Sequence, residues 1–481
     1  MIQECLPVVI GIDVGTSGVR ALAAAADGEV LAEARATFSE RTPAGTVHEQ
    51  DANDWWGAVC QTVRAVLKNL SVAHAAAQVA GLAVTSTSGS LVLADARGEP
   101  LRAAILYDDA RGAAVADDLN RRISCEQDKI NSSYSLAKAL WVRQQEPSIW
   151  ERARYLLHPA DWLTGKLTGQ LGISDYSNAL KLGYDQEREE WTAAVGVAGI
   201  PREMLPRVVR PGQQVGDVSP KASEETGLAA GVPVLAGATD GLASLVSSGA
   251  NDAGHANTTL GTTLVWKVLT RIKPRLSAGM YCHHHPGNLW APGAASNTGP
   301  GSLRPDDPTL DPGEMDRRAA PHLPTTLQCY LLGSRGERFP FLNHDAESFV
   351  EGNAASPGEW YAAQLQSLAC VERWGYERLA ACGVTVGEEV FSAGSAAASP
   401  VLSQLRADLL RRVVIRCRNP AASFGAAILA AGETLYGGDL TAAMRRMTQI
   451  CSSYHPDPGA CEKFDGAYRL FRAACTARGY K

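Results

Sequence analysis

The first hydrophobic run, Pro7-Val8-Val9-Ile10-Gly11-Ile12, ends on Asp13 and passes into the small, hydroxyl-rich turn Gly15-Thr16-Ser17-Gly18. An unbroken apolar run of this length, bounded by turn residues, predicts a buried strand. Residues 19–26 and 29–35 then flank Asp27-Gly28, a pair that favours a hairpin turn, so two more strands are expected rather than a helix. From Trp55 the period changes: Trp55, Trp56, Val59, Val63, Val66, Leu67 and Leu70 recur at three and four, with Asp51 placed to cap the helix they predict. Residues 79–84 predict another strand, running into Thr85-Ser86-Thr87-Ser88-Gly89-Ser90, and residues 91–95 follow it to a turn at Arg97-Gly98. Helices are expected over 135–143, 158–163, 359–371 and, from small residues alone, 421–431.

The opening arrangement recurs. Gly231-Val232-Pro233-Val234-Leu235-Ala236-Gly237-Ala238-Thr239-Asp240-Gly241 again delivers a carboxylate beside glycine, and residues 255–266 repeat a strand around Gly261-Thr262-Thr263. At 481 residues the chain exceeds what one hydrophobic core supports, so two lobes are expected, 1–242 and 243–481. Asn297-Thr298-Gly299-Pro300-Gly301 reads as a further glycine-bounded turn, residues 304–324 as a surface excursion, and residues 389–395 as a strand ending in Ala393-Gly394-Ser395. Residues 454–481 read as an amphipathic tail.

Composition narrows the class. A net charge of −6 with 20% charged residues leaves no basic face for nucleic acid. No apolar stretch reaches the ~18 residues of a membrane span, and six residues before the first strand leave no room for a leader, so a cytoplasmic protein without a membrane partner is expected. The eleven cysteines are scattered singly and read as reduced thiols. Cys282-His283-His284-His285 lacks the further ligands at helical or hairpin spacing that a metal site needs.

The chemistry resides in the turns. Glycines let backbone N–H groups approach anionic oxygens, Thr16 and Ser17 add hydroxyls, and Asp13 at a strand end suits a hydrated magnesium ion. No Walker or dinucleotide-binding glycine pattern is present, and strand, phosphate turn, strand, strand is how an actin-like ATPase lobe begins. Tyr107-Asp108-Asp109-Ala110-Arg111 places an acid and an arginine two apart after an apolar stretch; a polyol can bind between them, although a surface ion pair is the plainer reading.

Taken in order, these stretches resemble the FGGY carbohydrate kinase family from about residue 8 to about residue 473. The resemblance rests on Asp13-x-Gly15-Thr16-Ser17, Glu49-Gln50-Asp51 with Trp55-Trp56, Tyr107-x-Asp109-x-Arg111, Asp240-Gly241, Gly261-Thr262-Thr263, Gly336-Glu337-Arg338-x-Pro340 and Ala422-Ser423-x-Gly425-Ala426-Ala427. It implies an α/β, two-lobed actin-like ATPase (ribonuclease H-like) fold with an interlobe active-site cleft, using ATP and Mg²⁺. Asp240 falls at the family's catalytic acid and Asp13 at the metal-organising one. Ser88, Asp109, Arg111 and Asp240 are the expected sugar contacts; Gly15, Thr16, Ser17, Gly261, Thr262, Thr263, Gly301, Gly394 and Ser395 are the expected nucleotide contacts.

Two departures stand out. Ala393-Gly394-Ser395-Ala396 replaces the consecutive glycines of the family's adenosine segment, and Ser88-Gly89 is followed by Ser90-Leu91 where xylulokinases have Gln-Met-His-Gly. That loop resembles the cyanobacterial and plant-type pentulose kinases and implies D-ribulose as acceptor, with D-xylulose or another ketose or polyol as the alternative. An actin-fold switch ATPase and a catalytically weakened scaffold are the rivals outside the enzyme class. A small sugar and ATP are the expected partners, and the chain a monomer or homodimer.

Overall fold

A computed structural model of the chain describes residues 6–38, 47–125, 128–307 and 309–481. The chain divides into two units, one made of Met1–Ser247 with Ala421–Met447 and the other of Ser248–Pro420 with Thr448–Lys481. A single cut after residue 242 therefore separates the segment Ala421–Met447 from the unit it packs in.

The first unit is built on a six-stranded mixed sheet in the order Gln214–Asp217, Pro233–Leu235, Ala77–Ser86, β1 (Leu6–Val14), β2 (Gly18–Ala25) and β3 (Val30–Thr37). β1, β2 and β3 form the antiparallel meander that the Asp27-Gly28 pair predicts, while β1, Ala77–Ser86 and Pro233–Leu235 run parallel. Alternate side chains of β1 enter opposite faces. Val8, Ile10, Ile12 and Val14 join the core with helix α1 (Ala52–Ala73), each contributing about 1.5–3 kcal/mol by leaving water. Asp51 caps α1, accepting from the Asn53 backbone N–H at 2.9 Å, and the buried stripe is Trp55, Trp56, Val59, Val63, Val66 and Leu70.

The opposite face of β1 is covered by the helix Ala422–Thr434. It lies so close that a Cβ on Gly11 would stand 1.8 Å from the Ser423 carbonyl oxygen, and one on Gly425 1.9 Å from that of Ala243. Glycine and alanine let the helix wedge between β1 and the helix Asp240–Ser247.

The second unit holds a seven-stranded sheet, Met280–His285, Leu289–Ala295, Leu264–Val268, Ala256–Leu260, Glu389–Ala393, Val413–Cys417 and Ile450–Tyr454 in spatial order. The 25-residue helix Pro357–Ala381 packs in its core, capped by Ser356, whose hydroxyl accepts from the Glu359 N–H at 3.1 Å. Arg406 and Glu372 form an ion pair wholly inside this core: Nε to Oε2 at 2.6 Å and Nη2 to Oε1 at 2.7 Å. Ser392 accepts from Arg406 at 2.7 Å and Thr258 donates to Glu372 at 2.6 Å, so both charged groups have further hydrogen-bond partners.

Two stretches carry more structure than the sequence disclosed. Residues 304–324 contain the helix Pro312–Ala319, capped by Asp311; only Asp316 and Ala319 are buried, too few positions to reveal a helical period. The edge strand Ile450–Tyr454 leads into the tail, which forms the amphipathic helix Pro458–Ala477, whose Phe464, Tyr468 and Phe471 belong to the core. Ten cysteines are free, and Cys5 lies outside the described residues. His283, His284 and His285 lie along the strand Met280–His285, where neighbouring side chains point to opposite faces. Among the described residues no helix is long and apolar enough to cross a membrane.

Candidate active site

Three parallel strands of the first unit end side by side. Asp13 pairs with Thr85 across β1 and Ala77–Ser86, Ser86 bridges to Thr239, and Asp240 follows at the start of its helix. The carboxyl ends of parallel strands are where open α/β sheets place ligands, and here they border a cavity of about 540 Å³. Asp13 and Asp240 both line it, as do Gly15, Thr16 and Ser17. Thr87, Ser88 and Tyr107 complete the polar lining on the side of the hydroxyl-rich loop.

Local structure fixes the first turn. The Gly15 N–H donates to the Gly18 carbonyl at 3.0 Å, and the Phe38 N–H donates to that of Ser17 at 2.9 Å. The Gln50 side chain donates to the Thr16 carbonyl at 3.2 Å and accepts from the Trp55 indole N–H at 2.9 Å. The Glu49-Gln50 segment thus does more than precede α1: its glutamine ties the turn to the helix.

Burial, with the Asp240 charge adding and Arg20 opposing, pushes the Asp13 carboxyl from 3.8 up to about 7. Its Oδ1 is buried without a hydrogen-bond partner among the described residues. An acceptor-only oxygen in that position is costly unless a cation or a proton meets it. Asp240 accepts from the Gly241 N–H at 2.6 Å, which fixes its carboxylate at the helix start.

Asp109 and Arg111, expected as sugar contacts, are not among the residues that line this cavity. Arg111 Nε lies 3.0 Å from both Asp109 oxygens and its Nη2 2.8 Å from Oδ2, while the His48 N–H donates to the same oxygen at 2.8 Å. Burial works against the Asp109 charge, but these hydrogen bonds outweigh it and hold the carboxyl below its usual range. Glu49 accepts from both Arg111 and Arg102, and the Arg111 guanidinium stacks 4.4 Å over Trp141. Arg111 Nε and Nη2 are thus engaged by Asp109 and Glu49.

In the second unit the expected nucleotide residues gather at one end of the sheet. Gly261, Thr262 and Thr263 make the turn between Ala256–Leu260 and Leu264–Val268, and the Gly301 N–H donates to the Thr262 carbonyl at 3.1 Å. Gly394 follows the strand Glu389–Ala393, with φ +88° and space for no Cβ, since one would stand 2.4 Å from the Leu260 carbonyl oxygen. Ser395 begins the exposed single turn after it.

The positions that escaped the site expected from sequence include Gln50, Thr87, Tyr107, Arg20 and Arg35. Arg20 pairs across the sheet with Asp13, and Arg35 with Arg20, so an acid and two bases form a row over β1, β2 and β3, and all three line the cavity. Strand alternation alone offered a signal for Arg20, two positions beyond Gly18; Arg35 depends on register, which the sequence does not state.

The chain is similar to known proteins over most of its length. The model for the N-terminal domain of the FGGY family of carbohydrate kinases matches residues 8–247, and that for its C-terminal domain matches residues 302–433. The xylulose kinase of Escherichia coli (strain K12) is 28% identical over 427 residues, covering 83% of this chain and 84% of that protein. Among solved structures, xylulose kinase from Rhodospirillum rubrum superposes with a TM-score of 0.86 at 24% identity, covering 98% of both chains. Gluconate kinase from Lactobacillus acidophilus gives the same TM-score at 18% identity, again over 98% of both chains. These likenesses show the two-domain actin-like ATPase fold and, being equal for two acceptors, leave the sugar undecided. With both domain models matched in order, the chain belongs to the FGGY family of carbohydrate kinases.

Proposed function

We propose that this carbohydrate kinase transfers the γ-phosphoryl group of ATP to a primary hydroxyl of a ketopentose. The observation that carries the reading is the shared cavity of Asp13 and Asp240, bordered by a hydroxyl-bearing turn and by Ser88 and Tyr107. A primary alcohol is a poor nucleophile near neutral pH, so Asp240 takes its proton as the oxygen attacks phosphorus. Ser88 and Asp240 contact the sugar in this reading. The Gly15, Thr16 and Ser17 turn receives phosphate oxygens, with Arg20 adding charge. In the second unit, Gly261, Thr262, Thr263, Gly301, Gly394 and Ser395 remain our assignment for further nucleotide contacts.

The unpartnered Asp13 Oδ1 fits a divalent cation held through water. Magnesium bound with the nucleotide would supply neutralisation of phosphate charge. Asp13 itself positions that charge; burial and the nearby Asp240 charge disfavour its bare carboxylate unless a cation meets it.

For the acceptor, the relatives named xylulose kinase favour D-xylulose over D-ribulose. D-Ribulose stands as the second reading because of one feature: the loop at Thr87 and Ser88 presents only short hydroxyls to the cavity. Thr87 and Ser90 lie hydroxyl to hydroxyl at 3.3 Å, and Ser90 accepts from the Tyr107 N–H at 3.1 Å. An unpaired buried hydroxyl costs about 1–3 kcal/mol, so one epimeric centre discriminates by about 5- to 150-fold. Coupled ADP release with D-xylulose, D-ribulose, other ketoses and polyols tests both levels. Sugar-dependent release is expected, with the larger kcat/KM for D-xylulose. A larger value for D-ribulose reverses the choice of acceptor, and ATP hydrolysis indifferent to every sugar refutes the kinase reading.

A further inference from the structure

Arg35 is unusual in its placing. It lies directly opposite Arg20 in the β2–β3 register, so two guanidinium-bearing residues share one face of neighbouring strands. Like charges facing each other across a sheet are destabilising. Both side chains are exposed, both line the cavity, and among the described residues neither makes a hydrogen bond or ion pair. Arg20 has the Asp13 charge beside it in the row; Arg35 is one strand further out. Glu33, two positions back on the same face, stands opposite Leu22 and makes no ion pair with Arg35.

We propose that Arg35 is a phosphate contact of this cavity, forming with Arg20 a two-guanidinium wall that takes a phosphate group. Guanidinium forks match the oxygens of a phosphate and keep their charge at any working pH. An anion between them converts the repulsion into two attractive pairs, and among the described residues no side chain pairs with either guanidinium. On the kinase reading, on which the identity of the anion rests, two sources share this chemistry: the terminal phosphate of the nucleotide and the phosphate monoester of the sugar product. In the second case Arg35 retains product and makes the enzyme sensitive to product and to free phosphate.

The test is equilibrium binding to the full, nucleotide-free chain by titration calorimetry. Inorganic phosphate is the first probe, then the unphosphorylated ketopentose, its phosphate monoester and ATP, each with wild type, Arg35→Gln and Arg35→Lys. Arg35→Gln is expected to weaken inorganic phosphate and one of the two phosphorylated ligands by about 3- to 10-fold. It should leave the ketopentose unchanged, with Arg35→Lys intermediate and the difference shrinking as salt is raised. Loss confined to the monoester assigns the wall to product; loss confined to ATP assigns it to the nucleotide. Unchanged anion affinities in Arg35→Gln overturn the proposal, as does equal weakening of the uncharged ketopentose, which marks a structural role. The inorganic phosphate arm uses no sugar and no turnover, so it reads Arg35 even if the acceptor assignment fails.

Discussion

Replacing Asp13 by asparagine should alter how the stability of the ligand-free protein depends on pH. A carboxyl held at about 7 in the folded chain instead of 3.8 binds its proton about 4 kcal/mol more tightly there than in the unfolded chain. The folded value is raised, so this stabilisation is whole below about pH 4. It is lost as the pH climbs, because the unfolded chain releases its proton first, and it is gone once the pH passes about 7. Solvent in the cavity and relaxation of Asp240 reduce the figure, and a loss of about 1–4 kcal/mol across the window is expected for the wild type. The asparagine amide has no proton to lose over this range, so Asp13→Asn should lack that component and be the more stable form above about pH 7. The assay is a series of denaturant titrations in chelator and without nucleotide, following the transition of the first unit separately, because two units need not unfold together. Parallel pH profiles for wild type and Asp13→Asn would refute the reasoning, since they would mean that Asp13 is solvated in the folded chain.

Asp240→Asn should keep the fold and nucleotide affinity while turnover falls by about 10² to 10⁴, measured by coupled ADP release; near-normal turnover removes Asp240 from the proton-transfer role. Glu372→Gln leaves the Arg406 charge buried without its counter-ion, so the second unit should lose about 3–5 kcal/mol in denaturant titration, and an unchanged midpoint would contradict the sealed geometry of that pair. Gly425→Ala puts a methyl group against the Ala243 carbonyl, and the helix shift that follows should cost about 1–3 kcal/mol in the first unit, read as a lowered Tm.

The backbone of the first lobe was legible because its signals are local. Asp27-Gly28 marks a hairpin, the Asp51 cap and the tryptophan-led stripe mark α1, and Asp13 and Asp240 announce themselves by following apolar strands. What the sequence withheld was register and distant packing. The row from Asp13 through Arg20 to Arg35 exists only once three strands are aligned, and no spacing along the chain encodes it. The Asp109–Arg111 ion pair was readable from their spacing, whereas Glu49 and Trp141, which also engage Arg111, come from far along the chain. A Ser135–His158–Asp161 chain of hydrogen bonds, 2.9 Å at each link, also resembles nucleophile chemistry on paper. Ser135 and His158 are wholly buried, with no room for a substrate, so these groups pin neighbouring elements together.

The helix Ala422–Thr434 gives the first unit a peculiar relation to the order in which the polypeptide is made. The helix that seals one face of β1 with Ser423 and Ala427 is synthesised about four hundred residues after that strand. The entropy of closing so long a loop grows only logarithmically and is tolerable at equilibrium, but the wait is not logarithmic. At about 5–20 residues per second, those residues take on the order of 20–80 s to appear. Throughout that interval a flat strip of Val9, Gly11 and their neighbours lacks its permanent cover, and a nascent chain in this state is a natural client for chaperones. A fragment ending near residue 247 should therefore behave as an aggregation-prone intermediate, and adding the segment 421–447 in trans should rescue it if that helix is the missing cover.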